Sequence, residues 1–316
     1  MSTHPADPLL EHATTTIHVG SKSFAAAARL FDPATRRSVL MLYAWCRHCD
    51  DVVDGQELGF NTAARPDAAR ELALLREQTK LAYGGATMSD PAFAAFQEVA
   101  LRHAIPPAFA FDHLDGFAMD VADARYETID DTLRYCYHVA GVVGLMMASI
   151  MGVHEPRVLD RACDLGLAFQ LTNIARDIVE DAGMGRCYLP AQWLREAGIP
   201  PDEVALPRHR AALAGVAARL VDYAEPYYAS AAVGIASLPL RSAWAIATAR
   251  YVYRQIGIEV KRRGAHAWDE RVGTSKAAKL WLLLKGGGRA LTSRLQTAPG
   301  RSSGLWQRPA APAAGA

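Results

Sequence analysis

Apolar residues recur every three or four positions along most of the chain, and strict alternation of apolar and polar positions is scarce. The first pattern is typical of α-helices that bury one face, whereas alternation would indicate half-buried strands. Proline, aspartate or serine stands before most periodic segments, and glycine or proline pairs separate them. The pattern predicts an all-α protein with helices over residues 21–30, 33–54, 66–83, 90–103, 106–121, 130–152, 156–181, 209–232, 238–263 and 275–285.

The longest uncharged run covers residues 139–153. It is shorter than the roughly 20 residues that a helix needs to cross a bilayer, so it predicts a buried helix. Its small residues Ala140, Gly141, Gly144 and Ala148 leave room on one side. That room fits either close helix packing or the wall of a tunnel for a long hydrocarbon, and the sequence leaves both interpretations open.

The chain has 316 residues, 51% hydrophobic and 21% charged, enough for one large helical domain or two smaller ones. Five scattered cysteines indicate a reducing cytoplasm rather than a disulfide framework, and residues 1–11 lack the features of a secretory signal. Alanine, proline and glycine dominate from Pro299 onward, which favours disorder. We expect a flexible segment over residues 1–19 and a disordered tail over residues 296–316.

The net charge of +1 hides an uneven distribution. Residues 274–316 carry seven basic residues and no acidic ones, which leaves residues 1–273 at −6. The basic and apolar segment 279–285 is typical of a last core helix with solvated lysines, or of a segment resting on an anionic bilayer. Nucleic acid is not an expected partner, because no nucleic-acid-binding motif accompanies the charge.

Three other kinds of site receive little support. Residues 45–49 read W-C-R-H-C, but they lie inside a predicted helix, whereas thiol oxidoreductases place this motif after a strand. No second pair of cysteine or histidine residues at zinc-finger spacing accompanies them. The glycine-rich segments match neither dinucleotide nor P-loop patterns.

Two predicted helices each carry a polar stripe. At about 100° per residue, spacings of three and four residues place side chains on one face of a helix. The first stripe consists of Tyr43, Arg47, Asp50 and Asp54. The second stripe consists of Gln170, Asn173, Asp177 and Asp181. Two acidic stripes of this kind predict one shared cavity.

Carboxylates on one helix face repel each other, and their burial without a partner is costly, so a cation is expected between them. Carboxylate and amide oxygens suit Mg²⁺, which takes further oxygens from a phosphate-bearing substrate. Asp160 and Asp164 show that the spacing alone is weak evidence, because they share it. They point away from the Asp177 stripe, toward the side where a helix usually meets water. The stripes together predict a magnesium-diphosphate site.

Residues 50–54 also fit the D-D-x-x-D signature of head-to-tail prenyl elongation enzymes, but residues 176–181 read R-D-I-V-E-D where those enzymes repeat it. Further motifs are S-K-S-F at 21–24, Y-C-Y-H-V-A-G-V-V-G at 135–144 and R-C-Y-L-P at 186–190. With these motifs the chain resembles the squalene and phytoene synthases, most closely the bacterial phytoene synthases, from residue 20 to about residue 285.

The resemblance implies a single isoprenoid synthase domain over residues 20–295, built as a helical bundle around a central cavity. It also implies the reaction, in which two geranylgeranyl diphosphates are joined through prephytoene diphosphate. It implies that the metal ions and the diphosphate are bound at Asp50, Asp54, Asp177 and Asp181, with Asn173 assisting. It implies tyrosines near the reacting carbons at Tyr43, Tyr135 and Tyr253. The polar, diphosphate and substrate contacts that it implies are Lys22, Ser23, Phe24, Arg47, Gln170, Arg176, Arg186, Arg271 and Lys279. Gly20 stands where dehydrosqualene-forming relatives have histidine, so no contact is assigned to it.

The expected cofactor is Mg²⁺, with Mn²⁺ as a substitute and no NADPH. Geranylgeranyl diphosphate, the inner face of the cytoplasmic membrane and downstream carotenoid enzymes are the expected partners. A squalene or dehydrosqualene synthase acting on farnesyl diphosphate is the alternative within catalysis. A non-catalytic helical binding or assembly protein on the same fold is the alternative from another class.

Overall fold

The computed structural model describes residues 7–20, 22–55, 67–295 and 299–309, and for residues 20 and 22–24 it describes the backbone alone. Over these ranges the chain is helical without a β-strand, which confirms the predicted all-α class. Each of the ten predicted helices has a counterpart. The α-helices of these ranges are α1 (Pro8–Gly20), α2 (Lys22–Ala28), α3 (Pro33–Asp54), α4 (Ala68–Tyr83), α5 (Pro91–Arg102), α6 (Pro107–Val121), α7 (Ile129–Cys136), α8 (Val142–Ile150), α9 (Pro156–Gly183), α10 (Ala191–Glu196), α11 (Arg210–Gly234), α12 (Leu240–Arg263) and α13 (Lys276–Thr292).

Helices α3 and α9 carry the two predicted polar stripes, and both begin with proline. The Asp32 carboxylate accepts hydrogen bonds from the backbone N–H groups of Ala34 (3.1 Å) and Thr35 (3.0 Å) and so caps α3. Proline fits the first helical position, because that residue has no intrahelical partner for an N–H group. Helix α9 packs against α8, α11 and α12, while α3 packs against α1, α4 and α5. Both helices line the same central cavity.

A π-helical turn, Tyr137–Gly141, joins α7 to α8 beside α9. A Cβ atom on Gly144 would lie 2.4 Å from the Ala162 carbonyl oxygen, and one on Gly166 would lie 2.2 Å from that of Ala140. Glycine is therefore required where these helices meet. Ala140, Gly144 and Gly166 also line the central cavity. The small-residue run therefore serves close helix packing and also forms part of a cavity wall, while its role as a wall for a hydrocarbon stays a prediction.

The continuous helical segment Ile129–Ile150 is the candidate membrane span among the described residues, by length and composition. Its most apolar window is 67% buried inside the molecule. Leu145 and Met146, which are fully buried, belong to the same hydrophobic core as α9. This burial agrees with the predicted core helix.

The prediction of a flexible segment over residues 1–19 is wrong for residues 8–19, which form most of α1. Ala13 and Ile17, four residues apart, are 0% and 1% exposed and pack in the core. Asp7, which directly precedes α1, forms an ion pair with Arg37 of α3 at 2.7 Å. Residues 1–6 lie outside the described ranges.

The predicted end of the last helix at residue 285 is also wrong, because Gly286, Gly287 and Gly288 continue α13 to Thr292. A Cβ atom on Gly286 would lie 2.3 Å from the Thr248 hydroxyl oxygen. The glycines therefore allow α13 to approach α12 closely, and this contact outweighs their low helix propensity.

The predicted disorder of residues 296–316 does not hold for residues 299–309, which pack along α9 and α11; the remainder of that tail lies outside the described ranges. Arg301 forms two hydrogen bonds with Asp164, at 2.7 and 2.9 Å, and Arg308 bonds Asp160 at 2.7 Å. Asp164 is 0% exposed, so the expectation that this pair faces water is wrong for Asp164. Two arginines in an Ala/Pro/Gly-rich segment neutralise these carboxylates, which composition alone did not reveal.

Candidate active site

A cavity of about 800 Å³ is lined by residues of α3, α6, α8, α9, α11 and α12. Both predicted stripes face it, although they lie more than a hundred residues apart in the chain. The predicted site residues that line this cavity are Tyr43, Arg47, Asp50, Asp54, Tyr135, Gln170, Asn173, Arg176, Asp177, Asp181, Arg186, Tyr253 and Arg271. The sequence-based expectation of a shared cavity therefore agrees with the structure.

Arg186 lies where the carboxylates from different helices converge. After α9 ends, Gly185 adopts a φ of 79°, which is accessible to glycine, and the Arg186 N–H donates to the Asp181 carbonyl at 2.9 Å. This turn directs Arg186 back to α3, where its guanidinium forms two hydrogen bonds with Asp54, one of them 3.0 Å long. Its positive charge also lowers the pKa values of Asp50 and Asp181 against the effect of burial. Arg186 thus connects the two stripes.

Two of the four aspartates have strongly raised pKa values. The Asp50 side chain is 41% exposed, and it lines the cavity. Desolvation within the cavity raises the pKa of Asp50 to about 7, and the negative charge of Asp54 adds to this rise. Burial, followed by the charges of Asp177 and Glu180, raises the pKa of Asp181 to about 7. Desolvation and neighbouring negative charge both disfavour the ionised form. A bound cation would relieve both effects.

Arginine side chains form ion pairs with Asp177 and Asp50 as well. The Arg176 Nε–H donates to Asp177 at 2.7 Å, and Arg271 donates to the same carboxylate at 3.2 Å. Arg47 pairs with Asp50 at 3.0 Å. Guanidinium groups form strong charge-assisted hydrogen bonds with phosphate as well as with carboxylate. The same end of the cavity therefore offers both oxygen ligands for a cation and donors for an anion.

The carboxylate and amide oxygens at this end of the cavity suit a divalent cation that prefers oxygen ligands. The Asn173 amide donates from Nδ2 to the Gln170 side chain at 3.3 Å, while its buried Oδ1 has no partner within the described part of the protein. Buried polar atoms without a partner are rare in proteins and indicate a missing ligand, ion or water. Asn173 lies one turn from Asp177, so its free oxygen belongs to the carboxylate set. Carboxylate and amide oxygens are the ligands that Mg²⁺ and Mn²⁺ take.

Beyond the carboxylates the cavity wall becomes apolar, with Val143, Met147 and Leu165 among its residues. Val158 and Asp177 both line it, nineteen residues apart on α9, which corresponds to about 28 Å along the helix axis. The Tyr253 ring stacks on Phe169 with ring centroids 4.2 Å apart, between the polar and apolar regions. The site therefore combines a polar end suited to an anionic head with an apolar region long enough for a hydrocarbon chain.

Sequence reasoning missed Asp120 of α6 and Tyr188, which also line the cavity. Asp120 accepts hydrogen bonds from the hydroxyls of Tyr135 (3.2 Å) and Tyr188 (3.0 Å), whose rings stack at 4.5 Å. Burial raises the pKa of Asp120 to about 6, against the effect of the Arg186 charge. Asp120 belongs to neither stripe, so spacing gave no signal for it. Tyr188 lies within a quoted motif but was not assigned a role.

One predicted contact, Lys279, lies outside the main cavity, and three others have side chains outside the described part of the structure. Lys279 lines a smaller cavity of about 230 Å³, which shares Ala249 and Tyr253 with the main one. The side chains of Lys22, Ser23 and Phe24 lie outside the described part of the chain.

A second group of candidate ligands lies outside the main cavity. Single ligand atoms of Asp112, Asp115 and His138 lie within 4.8 Å of one another. Tyr137 donates to Asp112 at 2.6 Å, and Arg76 forms an ion pair with Asp115. These carboxylates already have partners, so the group does not strengthen the case for a metal there.

Comparisons with known proteins agree with this geometry. A model of the squalene/phytoene synthase family matches residues 17–278. The chain is 64% identical to phytoene synthase of Pseudescherichia vulneris, covering 96% of this chain and 98% of that protein. It is 63% identical to 15-cis-phytoene synthase of Pantoea ananas, covering 95% and 98%. A ligand-bound dehydrosqualene synthase structure superimposes with a TM-score of 0.81 at 27% identity, covering 90% of this chain and 97% of the other.

Proposed function

The chain belongs to the squalene/phytoene synthase family, and we propose that it is a prenyltransferase that condenses two geranylgeranyl diphosphates head to head to 15-cis-phytoene. One observation carries this proposal. Four aspartates from α3 and α9, connected by Arg186, lie at one end of a cavity whose remaining wall is largely apolar. The high identity to 15-cis-phytoene synthases supports the choice of product.

Two carbon–oxygen bonds must break in this reaction. The first substrate loses diphosphate, its allylic cation is attacked by the double bond of the second, and loss of a proton closes the cyclopropane of prephytoene diphosphate. Loss of the second diphosphate gives a cation that rearranges, and a second proton leaves as the central double bond forms. Two diphosphates and two protons are released for each phytoene. No external reductant is consumed.

The proposed role of the polar end is to hold diphosphate while the carbon–oxygen bond breaks. Asp50, Asp54, Asp177 and Asp181, with the Asn173 oxygen, would hold Mg²⁺, or Mn²⁺ in its place. A bound divalent ion supplies charge neutralisation to the departing diphosphate. Donors fixed in advance, here the arginines near these carboxylates, stabilise the developing negative charge with little reorganisation.

The proposed role of the middle of the cavity is to protect the carbocations. Tyr43 and Tyr253 line this region, and the stacking on Phe169 fixes the Tyr253 ring. An aromatic face stabilises a cation by about 0.5–2 kcal/mol, more when water is excluded. The Asp120 carboxylate orients the Tyr135 hydroxyl through a hydrogen bond. The apolar wall beyond accommodates the prenyl tails.

The test is an incubation of the purified chain with geranylgeranyl diphosphate and Mg²⁺, followed by chromatography of the lipid extract, with and without NADPH. We expect 15-cis-phytoene in both reactions and none after chelation of the metal. A reduced product that depends on NADPH, or turnover of farnesyl diphosphate alone, would favour a squalene-type or dehydrosqualene-type enzyme. Absence of any condensation product would favour a non-catalytic protein.

We also propose that the enzyme works at the inner face of the cytoplasmic membrane, next to the carotenoid enzymes that consume its product. The reason is chemical, because both substrate tails and the product are hydrocarbons that partition into lipid.

A further inference from the structure

Helix α13 carries a stripe of large apolar side chains that no described part of the protein covers. Trp281, Leu284 and Leu291 are 65%, 59% and 61% exposed, and Leu295, in the short turn after the helix, is 86% exposed. Their spacings of three, seven and four place them on one side of the helix. The opposite side packs on α12 through residues such as Gly286. We call Trp281, Leu284, Leu291 and Leu295 the α13 stripe.

The surroundings of the α13 stripe are basic. Residues 274–295 contain five lysines or arginines and no aspartate or glutamate. Lys276 and Lys285 are exposed on the helix. The burial pattern therefore differs from a core helix that presents only its lysines to water, because here the tryptophan and leucines are exposed as well. Contiguous exposed apolar residues on a soluble domain indicate an interaction surface.

The α13 stripe lies beside a smaller cavity that adjoins the main one. Leu280, next to Trp281, lines the smaller cavity between α2, α12 and α13 together with Leu283. This smaller cavity has an almost wholly apolar lining and shares Ala249 and Tyr253 with the main cavity. A hydrocarbon chain at the α13 surface would therefore lie against a cavity that adjoins the main one at Ala249 and Tyr253.

Charge distinguishes between the possible partners. A two-fold contact with a second copy would place the same basic surface against itself, which is unfavourable. An anionic bilayer attracts basic residues by about 1 kcal/mol each and accepts tryptophan and leucine at its interface. The mixture of exposed apolar and basic residues fits lipid better than another copy of this chain.

We propose that the α13 stripe is the surface by which the protein docks on an anionic lipid bilayer, so that prenyl chains enter from the lipid next to Tyr253. The entry of prenyl chains rests on the proposed function, whereas the docking itself does not. The apolar stripe inserts at the interface while Lys276 and Lys285 face the anionic headgroups.

The test compares the full chain with two matched variants in co-sedimentation with vesicles. Leu284→Glu changes the α13 stripe, and Leu101→Glu changes a leucine of α5 with a similar exposure of 53%. Vesicles contain phosphatidylcholine alone or an equal mixture with phosphatidylglycerol. We expect the unmodified chain and Leu101→Glu to bind the anionic vesicles alike and Leu284→Glu to bind about tenfold more weakly. Phosphatidylcholine alone should retain little of any chain.

Equal binding by both variants, or no binding of the unmodified chain to anionic vesicles, would overturn the proposal. A dimer in light scattering that Leu284→Glu dissociates, without vesicle binding, would show that a second copy covers the stripe instead. Phytoene formation from detergent-dispersed substrate distinguishes a failure of the docking proposal from a failure of the proposed function. Docking can fail while phytoene still forms, and vesicle binding can persist in a chain that makes no phytoene.

Discussion

Replacing Arg301 by alanine should destabilise the protein strongly, although Arg301 lies in the last sixteen residues. Its guanidinium forms two hydrogen bonds with Asp164, which is fully buried, and its own side chain is only 14% exposed. Ser230 supplies a further hydrogen bond to that carboxylate at 2.5 Å. Removing one partner of a buried ion pair leaves an uncompensated charge and costs about 3–5 kcal/mol. We expect a loss of this size in the free energy of unfolding, measured by urea denaturation.

The chain provides a matched control in the neighbouring pair, Arg308 and Asp160. Asp160 is 32% exposed, so this pair is partly solvated and should contribute about 1 kcal/mol or less. Arg308→Ala should therefore shift the urea midpoint only slightly. The double variant Asp164→Leu with Arg301→Met should regain most of the lost stability, because an apolar pair can replace a buried ion pair at little cost. Equal destabilisation by Arg301→Ala and Arg308→Ala would refute the reasoning.

Three further predictions concern the cavity. The pKa values of Asp50 and Asp181 are raised to about 7, and a carboxyl group ligates a metal only when it is ionised. If both carboxylates are metal ligands, as proposed, Mn²⁺ affinity should rise by about tenfold per carboxyl between pH 6 and pH 8; a flat calorimetric profile would contradict this. Asp120→Asn should lower kcat about ten- to a hundredfold by misplacing two tyrosine hydroxyls, yet leave Mn²⁺ affinity unchanged. Gly166→Ala should cost about 1–3 kcal/mol in urea denaturation, whereas Gly183→Ala on the same helix, with open space around it, should be nearly neutral.

The helices and the two stripes were predictable because local periodicity determines them. Spacings of three and four residues placed Asp50 with Asp54, and Asp177 with Asp181, on single helix faces. The convergence of both faces on one cavity was expected because burying carboxylates without a cationic partner is costly, and the structure places both faces on one cavity. The helices and the stripes are properties that a sequence carries without knowledge of distant contacts.

What sequence reasoning missed depends on distant contacts. Residues 299–309 are ordered by ion pairs to α9, some 140 residues earlier in the chain, which a composition rich in alanine and proline conceals. Gly286 continues a helix because Thr248 of α12 lies against it. Asp120 joins the site through two tyrosines from other segments. A single residue without a spacing pattern gives no signal until the fold brings its partners together.

The central claim is that α3 and α9 contribute jointly to one metal-diphosphate site, and Mn²⁺ binding in the presence of inorganic diphosphate tests it most directly. Asp50→Asn and Asp177→Asn each remove one carboxylate from a different helix, and Asp160→Asn is the control on α9. We predict that Asp50→Asn and Asp177→Asn each weaken Mn²⁺ binding at least about tenfold, while Asp160→Asn binds as the unmodified chain does. Unchanged binding in either Asp50→Asn or Asp177→Asn would contradict the account.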